Sequence, residues 1–413
     1  MSEDGFLDYL LQDRMFSIQI PHYHGQHRGE DAVSDSEPQH ILARYMETAD
    51  SLRFEADVEG STWNSRGWTL QERHLARRIV HFSRTQIFWE CRRGIESECG
   101  QRIIRLPFSI TPAYGPEDSP DEESSENTSS QCASDKTSRS DEIGSSSSDS
   151  AYVDEDELIA TRTRLYLWWF QVLGDYSRRN LTYASDKLPA ISGLARELNT
   201  NHLEITQSED QYLAGLWLGA LADCLLWTPE DSSAMTDPGI SRAPSWSWAR
   251  YDGPTMPTRA GSPNLDPESD KIEYISHEVG LDSSNAYGSI THARLSIRAG
   301  LHEVLIVQPS IQQRDEVNRY DIYLRSDRSK IAVATLDRAE AYETNDTSGL
   351  FAMQVKVQLP QDDGPARDLY YSGLVLQLVG GEEQVLERVG VFILDEDHLN
   401  VFASAEKRIV TLV

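Results

Sequence analysis

Residues Trp63 to Arg93 read WNSRGWTLQERHLARRIVHFSRTQIFWECRR, and this stretch decides the fold. Thr69-Leu70-Gln71-Glu72 fits a capping box: a Thr oxygen placed to accept the amide three residues on, and a Glu placed to reach back. A short helix is expected from Thr69 to about Arg77. Ile79-Val80-His81-Phe82, the polar Ser83-Arg84-Thr85 and Gln86-Ile87-Phe88-Trp89-Glu90-Cys91 follow. Two β-rich runs around a polar turn predict a hairpin. With Trp63, Trp68 and Trp89 beside it, one helix feeding one hairpin is expected to be a compact packing unit and not a linker.

Arg66-Gly67-Trp68-Thr69-Leu70-Gln71-Glu72-Arg73, followed by Phe88-Trp89-Glu90-Cys91, closely resembles the last conserved block of the fungal heterokaryon incompatibility (HET) domain. Further similar pieces stand at Tyr176-Ser177-Arg178 to Ala195 and at Arg242-Ala243-Pro244-Ser245-Trp246-Ser247-Trp248-Ala249. The resemblance covers the end of that domain and most of what usually follows it. The aromatic-rich strands that open the domain in the family are not found before Trp63. The resemblance implies non-self recognition between fungal strains, with growth arrest or programmed cell death as output and action through protein association. It marks Arg66, Gly67, Trp68, Thr69, Leu70, Gln71 and Glu72, with Trp89, Trp246 and Trp248, as the motif and structural residues.

HET domains have been likened to TIR domains, some of which cleave NAD with a Glu. That makes Glu72 the one catalytic candidate, a carboxylate that would stabilise positive charge on a ribosyl carbon as nicotinamide leaves. The plain reading of the same residue is a capping Glu paired to Arg66 or Arg73. Three functions therefore stand side by side: an association protein of HET type, a TIR-like NAD-hydrolysing enzyme, and a truncated inactive relic.

Composition narrows the partners. The net charge of -29 repels phosphate backbones and anionic lipid, so neither nucleic acid nor a membrane surface is expected as a partner; the expectation of protein partners comes from the resemblance. Cys91, Cys99, Cys132 and Cys224 have neither metal nor disulfide spacing, which predicts a reducing, cytoplasmic setting. Glu3, Asp4 and Asp8 stand where a signal peptide carries positive charge. The apolar run Tyr212 to Trp227 is too short to span a bilayer and is broken by Asp223. The N-x-S/T sites at Asn127, Asn180 and Asn345 then meet no glycosylation machinery. No phosphate loop, G-x-S-x-G or H-E-x-x-H is found, and neither a cofactor nor a metal is predicted. His22, His24 and His27 read as a polar loop rather than a metal site, because no Cys or partner helix accompanies them. Cys91 reads as a strand residue facing a core.

The fold class expected is α+β in four parts. A partial α/β HET unit, helix plus hairpin, takes 1–115, with Ile41 to Met46 read as a helix start. An acidic Ser-rich tract over 116–156 has too little to bury to offset its ordering entropy and is expected to be disordered, either a plain solvated insertion or a tether tuned by phosphorylation. A helical region takes 157–230, with three amphipathic helices: one from Leu158 to Arg179, one capped at Ser185 or Asp186 with Pro189 in its first turn, and one from Glu209 to about Trp227. A β-rich domain takes 240–413. Within it, Ser245 to Ala249 alternates as a strand would, with both Trp on one face filling a core or junction. Period-two runs at Leu295–Ile297 with Val304–Val307, Tyr320–Leu324, Ile331–Leu336, Met353–Leu359, Leu374–Leu378, Val389–Leu394 and Ile409–Val413 predict an antiparallel sandwich or barrel.

Overall fold

The computed structural model describes residues 15–19, 40–44, 50–91, 93–103, 155–206, 209–256, 265–308, 319–339, 349–358, 370–379, 384–395, 398 and 400–413. The acidic tract up to 154, His22, His24, His27, Asn127, Cys132, Asn345 and the expected turn at Gly380-Gly381 lie outside the described residues.

β1 (Met15–Gln19) pairs antiparallel with β2 (His40–Arg44), so the expected helix start at Ile41 is a strand instead. α1 (Asp50–Phe54) runs directly into a π turn, Glu55–Glu59, that Gly60 closes. α2 (Gly67–Leu75) is the helix of the motif. β3 (Arg78–Phe82), β4 (Ile87–Cys91), β5 (Gly94–Ser97) and β6 (Arg102–Ile103) form an antiparallel meander in chain order. The expected hairpin is thus the first half of a four-stranded sheet.

α3 (Glu155–Ser177) follows the expected apolar face. Two 3-10 turns, Ala184–Asp186 and Pro189–Ile191, precede α4 (Ser192–Thr206), so the second helix starts later than its capping signals suggest. The third expected helix does not form as one. Tyr212–Leu213 (β7) and Leu216–Trp217 (β8) are a small hairpin, and only Leu221–Leu225 (α5) is α-helical. Ala214 and Gly215 turn the hairpin with φ of 47° and 105°, the positive values that a tight two-residue turn requires. The stripe misled because Leu213 to Trp217 and Ala220 to Pro229 are buried on every side. A segment buried all round has apolar residues at any period.

β9 (Thr228–Pro229) and β10 (Thr255–Met256) pair as a short ladder, and between them lies Ser245 to Ala249. That segment is not a strand. It is a turn leading into the 3-10 turn Trp248–Arg250, with the Ser247 hydroxyl accepting from the Ala249 amide. Trp246 and Trp248 are nevertheless fully buried, as expected of core residues.

The remaining chain is β11 (Glu273–Leu281), β12 (Ile290–Val307), β13 (Arg319–Leu324), β14 (Lys330–Leu336), β15 (Leu350–Gln358), β16 (Tyr370–Leu378), β17 (Val385–Leu394) and β18 (Lys407–Leu412). The order is β11-β12-β13-β14-β17-β16-β15, and β15 pairs back to β12. The sheet therefore closes on itself, with β18 bridging β12 antiparallel and β17 parallel. The fold class is α+β with a C-terminal antiparallel multi-strand sheet. The two runs at 295–297 and 304–307 belong to one long strand, whose halves have different neighbours. β11 escaped the sequence reading because exposed polar and exposed apolar side chains are mixed along it without a clean period of two.

Alternation along the strands divides the residues between two cores. Ile306, Ile322, Ala334, Ala352, Val375 and Phe392 meet in one cluster, closed by Phe402 stacked on Phe392 at 5.9 Å. The opposite faces, through Leu295, Ile297, Met353, Leu374 and Leu412, join a larger cluster with Leu70, Trp169, Leu194, Trp217 and Trp246. One continuous core thus runs from the motif helix through the helical layer to the sheet.

Two buried ion pairs stand at that junction, the first across it and the second on its sheet side. Lys356 of β15 meets Asp223 of α5, and both side chains are 1% exposed. Arg388 of β17 forks onto Asp337 at 2.9 and 3.0 Å, donates to the Leu225 carbonyl at 2.7 Å and lies 3.6 Å from the Trp227 ring centre.

Candidate functional site

The motif begins where two chain segments touch. Arg66 pairs with Asn180 in an isolated bridge: Gly67 N–H donates to the Asn180 carbonyl at 2.8 Å, and Asn180 N–H donates to the Ser65 carbonyl at 2.7 Å. A Cβ on Gly67 would stand 2.5 Å from Leu181 Cδ2 and 3.1 Å from its Cγ, so a larger residue here would have to push the Leu181 side chain aside. This contact moves the start two residues upstream of the expected one. Arg66 takes the N-cap with extended backbone and no side-chain cap bond. Thr69 is therefore inside the helix, and the predicted capping box does not form. Its buried hydroxyl reaches the carbonyls of Arg66 at 2.7 Å and Trp63 at 2.9 Å and lies 3.3 Å from an Arg179 nitrogen.

The other motif residues divide by face. Leu70 is 1% exposed and enters the main core. Gln71 Oε1 accepts the Gly193 N–H at 2.6 Å, so one helix supplies a cap to the first turn of another. Trp68 is half-exposed and donates its indole N–H to Asp186 at 2.9 Å. Arg66 is exposed. Glu72 is also exposed and makes no side-chain hydrogen bond or ion pair among the described residues. The predicted pairing of Glu72 with Arg66 or Arg73 is thus not made.

Arg73 turns the other way, into a polar network that the sequence reading missed. Its guanidinium holds Glu90 at 2.9 Å, Glu59 at 2.8 and 3.0 Å and the Asn64 side-chain oxygen at 3.2 Å. The same Asn64 oxygen accepts from Arg179 at 3.1 Å, and Arg179 in turn holds Asp175 at 3.0 Å. His81 meets Glu90 at 2.6 Å and packs edge-on against both Phe54 and Trp63. Burial opposes the charge on Arg73, but the bonds and charges of Glu59 and Glu90 outweigh it and hold the group above its ordinary value. Burial likewise pushes the Glu90 carboxyl up, and the His81 bond with Arg73 outweighs that, leaving it below the usual range. His74, on the same helix, is pushed down to about 4 by burial and then by the Arg73 charge. The contact of Arg73 with Glu90 depends on the meander register, and that of Asn64 with Arg179 on α3 lying against the motif, so no spacing rule reveals them.

The opposite face of β3 and β4 is apolar and open, and exposed Glu96 of β5 borders it beside Trp89. Val80 stands opposite Trp89, and Phe82 opposite Ile87. Phe88, by contrast, is fully buried against Phe54 and Ile95. Cys91 is half-buried at the end of β4 and shares the outer face with Trp89, so it faces no core.

Trp246 and Trp248 lie elsewhere, in the main core. Trp248 donates its indole N–H to the Gly215 carbonyl at 3.0 Å, and the Trp246 carbonyl accepts from Trp227 at 3.0 Å. Lys187 sits between the Tyr176 and Trp248 rings, 5.7 and 5.9 Å away, and meets Asp252 at 3.3 Å. Burial lowers its ammonium to about 8, against the Asp252 charge. Arg242 shares Asp252 at 2.7 Å and also holds the Ala249 and Ala184 carbonyls. These contacts lock the turn that carries both Trp to the helical layer. Among the described residues, no three His, Cys, Asp or Glu side chains are grouped to hold a metal ion. No described helix is long and apolar enough to cross a membrane.

No protein-family model, no curated protein and no solved structure matches this chain.

Proposed function

We propose that the chain is an intracellular, HET-type protein that acts in non-self recognition and cell-death control through association with other proteins. The observation that carries the reading is the motif Arg66 to Arg73 with Phe88 to Cys91, whose resemblance to the HET block was read from sequence. Its geometry supports association before chemistry. The motif is held rigid from behind by the Arg73 network and presents Trp63, Trp68, Phe82 and Trp89 at the surface. Glu72 stands on that exposed side without a charged partner among the described residues. A carboxylate so placed keeps its solvation and has no walls around a substrate.

Inducible expression of the full chain in a filamentous fungal host tests the proposal. Growth arrest is expected on induction, persisting in Glu72→Gln and lost in Arg73→Leu, which unhooks the motif. Unimpaired growth with the intact chain accumulating in soluble form overturns it. Arrest that Glu72→Gln abolishes, together with nicotinamide release from NAD by the purified chain, would move the function to catalysis.

A further inference from the structure

Large apolar side chains scattered singly over a surface need no explanation, but contiguous ones do. On the outer face of the meander, Val80, Phe82, Ile87 and Trp89 are 42%, 74%, 39% and 41% exposed. They are two directly opposed cross-strand pairs, so they form one patch.

The patch borders an unpaired strand edge. Ser83 N–H donates to the Gln86 carbonyl at 3.1 Å, which makes 83/86 a hydrogen-bonded pair. Alternation along an antiparallel ladder gives 81/88 and 79/90 the same character. The N–H and C=O groups of Arg78, Val80 and Phe82 then point away from β4. β3 has no other neighbour among the described strands. An edge of this kind is a template for a further strand.

Charge says which strand fits. Arg77 and Arg78 are exposed at one end of β3 and make no ion pair among the described residues. Arg84, 78% exposed, stands at the other end and makes a loose ion pair with Asp57 at 3.7 Å that leaves most of its guanidinium in solvent. No acidic side chain lies on β3 itself. In a chain of net charge -29 this edge is locally basic.

We propose that the open edge of β3, with its apolar patch and terminal arginines, binds an extended segment of a partner protein that carries apolar side chains at alternate positions and acidic residues at its two ends. The inference rests on the association reading above and adds the surface and the partner's chemistry. Main-chain bonds to Arg78, Val80 and Phe82 supply sequence-independent affinity, and the patch and arginines supply the selection. The Arg73–Glu90–His81 network behind the sheet keeps the edge preformed, which lowers the ordering cost of binding.

The probe is a fluorescein-labelled peptide about six residues long, a usual strand length, with valine at alternate central positions and glutamate at both ends. Its anisotropy is followed on titration with the full chain. Saturable binding is expected, at least tenfold tighter than for the same peptide with lysine in place of glutamate. Val80→Pro removes an outward N–H, which an edge strand tolerates, together with one side chain of the patch, and is expected to weaken binding tenfold or more with an unchanged thermal melt. Should that variant melt early, Arg77→Glu with Arg78→Glu carries the test, because both side chains are exposed. Equal affinity for the two peptides, or no loss in the arginine variant, overturns the proposal. A chain that sediments as a dimer and becomes monomeric on Val80→Pro also overturns it, since the edge then takes a second copy. Peptide binding without growth arrest would sink the functional reading and leave the edge intact; growth arrest without peptide binding would sink the edge alone.

Discussion

Asn64 shows how much one residue contributes here. It sits 7% exposed, donates to the Glu59 carbonyl and carboxylate at 3.0 Å, and accepts from both Arg73 and Arg179. An amide suits the place because it carries donors and an acceptor at once; an Asp there would have no donor for Glu59. Hydrogen bonds to charged groups contribute about 1.5–3 kcal/mol each, and buried groups left unpaired cost a comparable amount. Asn64→Ala is expected to lower the unfolding free energy by about 3 kcal/mol in a denaturant titration. Glu72→Gln, on the exposed side, is expected to stay within about 0.5 kcal/mol of the parent. If the two variants are equally stable, the network is not what holds the motif.

At the scale of elements, α2 and the meander form a unit sensitive to acid. His74 packs edge-on to Trp168 at 6.3 Å and is held neutral, with its folded pKa moved from 6.5 to about 4. The unfolded chain binds that proton first, so stability is full above pH 6.5 and falls as pH drops toward 4. A shift of this size corresponds to about 3 kcal/mol. Glu90, whose folded pKa is depressed, adds a loss of the same sign below the usual carboxylate range. The expected result is a fall in stability between pH 6.5 and 4, seen in denaturant titrations followed by tryptophan fluorescence. His74→Gln should flatten the upper part of that fall. A parent chain equally stable at about pH 7 and about pH 4.5 would contradict it.

Over the whole molecule, the junction between the helical layer and the closed sheet depends on buried charge as well as on apolar area. Arg388 is fully buried and serves Asp337, two carbonyls of the α5 region and the Trp227 ring at once. Removing one member of a buried pair leaves the other uncompensated, at a cost of about 3–5 kcal/mol. Arg388→Leu is therefore expected to destabilise by that amount. Adding Asp337→Leu should recover a large part, because the orphaned carboxylate goes with it. Calorimetric melts of the two variants check this, and a double variant no more stable than the single would refute it. The core is continuous from Leu70 to Leu412, so Arg388→Leu should lower the melting of the motif helix and of the sheet together.

Period-two runs, turn residues and the apolar face of α3 were enough to place the long helix, the motif hairpin and most strands of the sheet, because each follows from contacts within a few residues. Other features required the tertiary structure. The first turn of α2 starts at Gly67 rather than Thr69 because Asn180 and Leu181 press against it. The 212–227 segment is a hairpin and a short helix because it is buried all round, where period carries no information. The polar network is closed by Arg179 and Glu90, residues far from Asn64 in the chain. Sequence determines what its near neighbours can satisfy; which distant groups meet a buried donor or charge is decided only when the whole chain has packed.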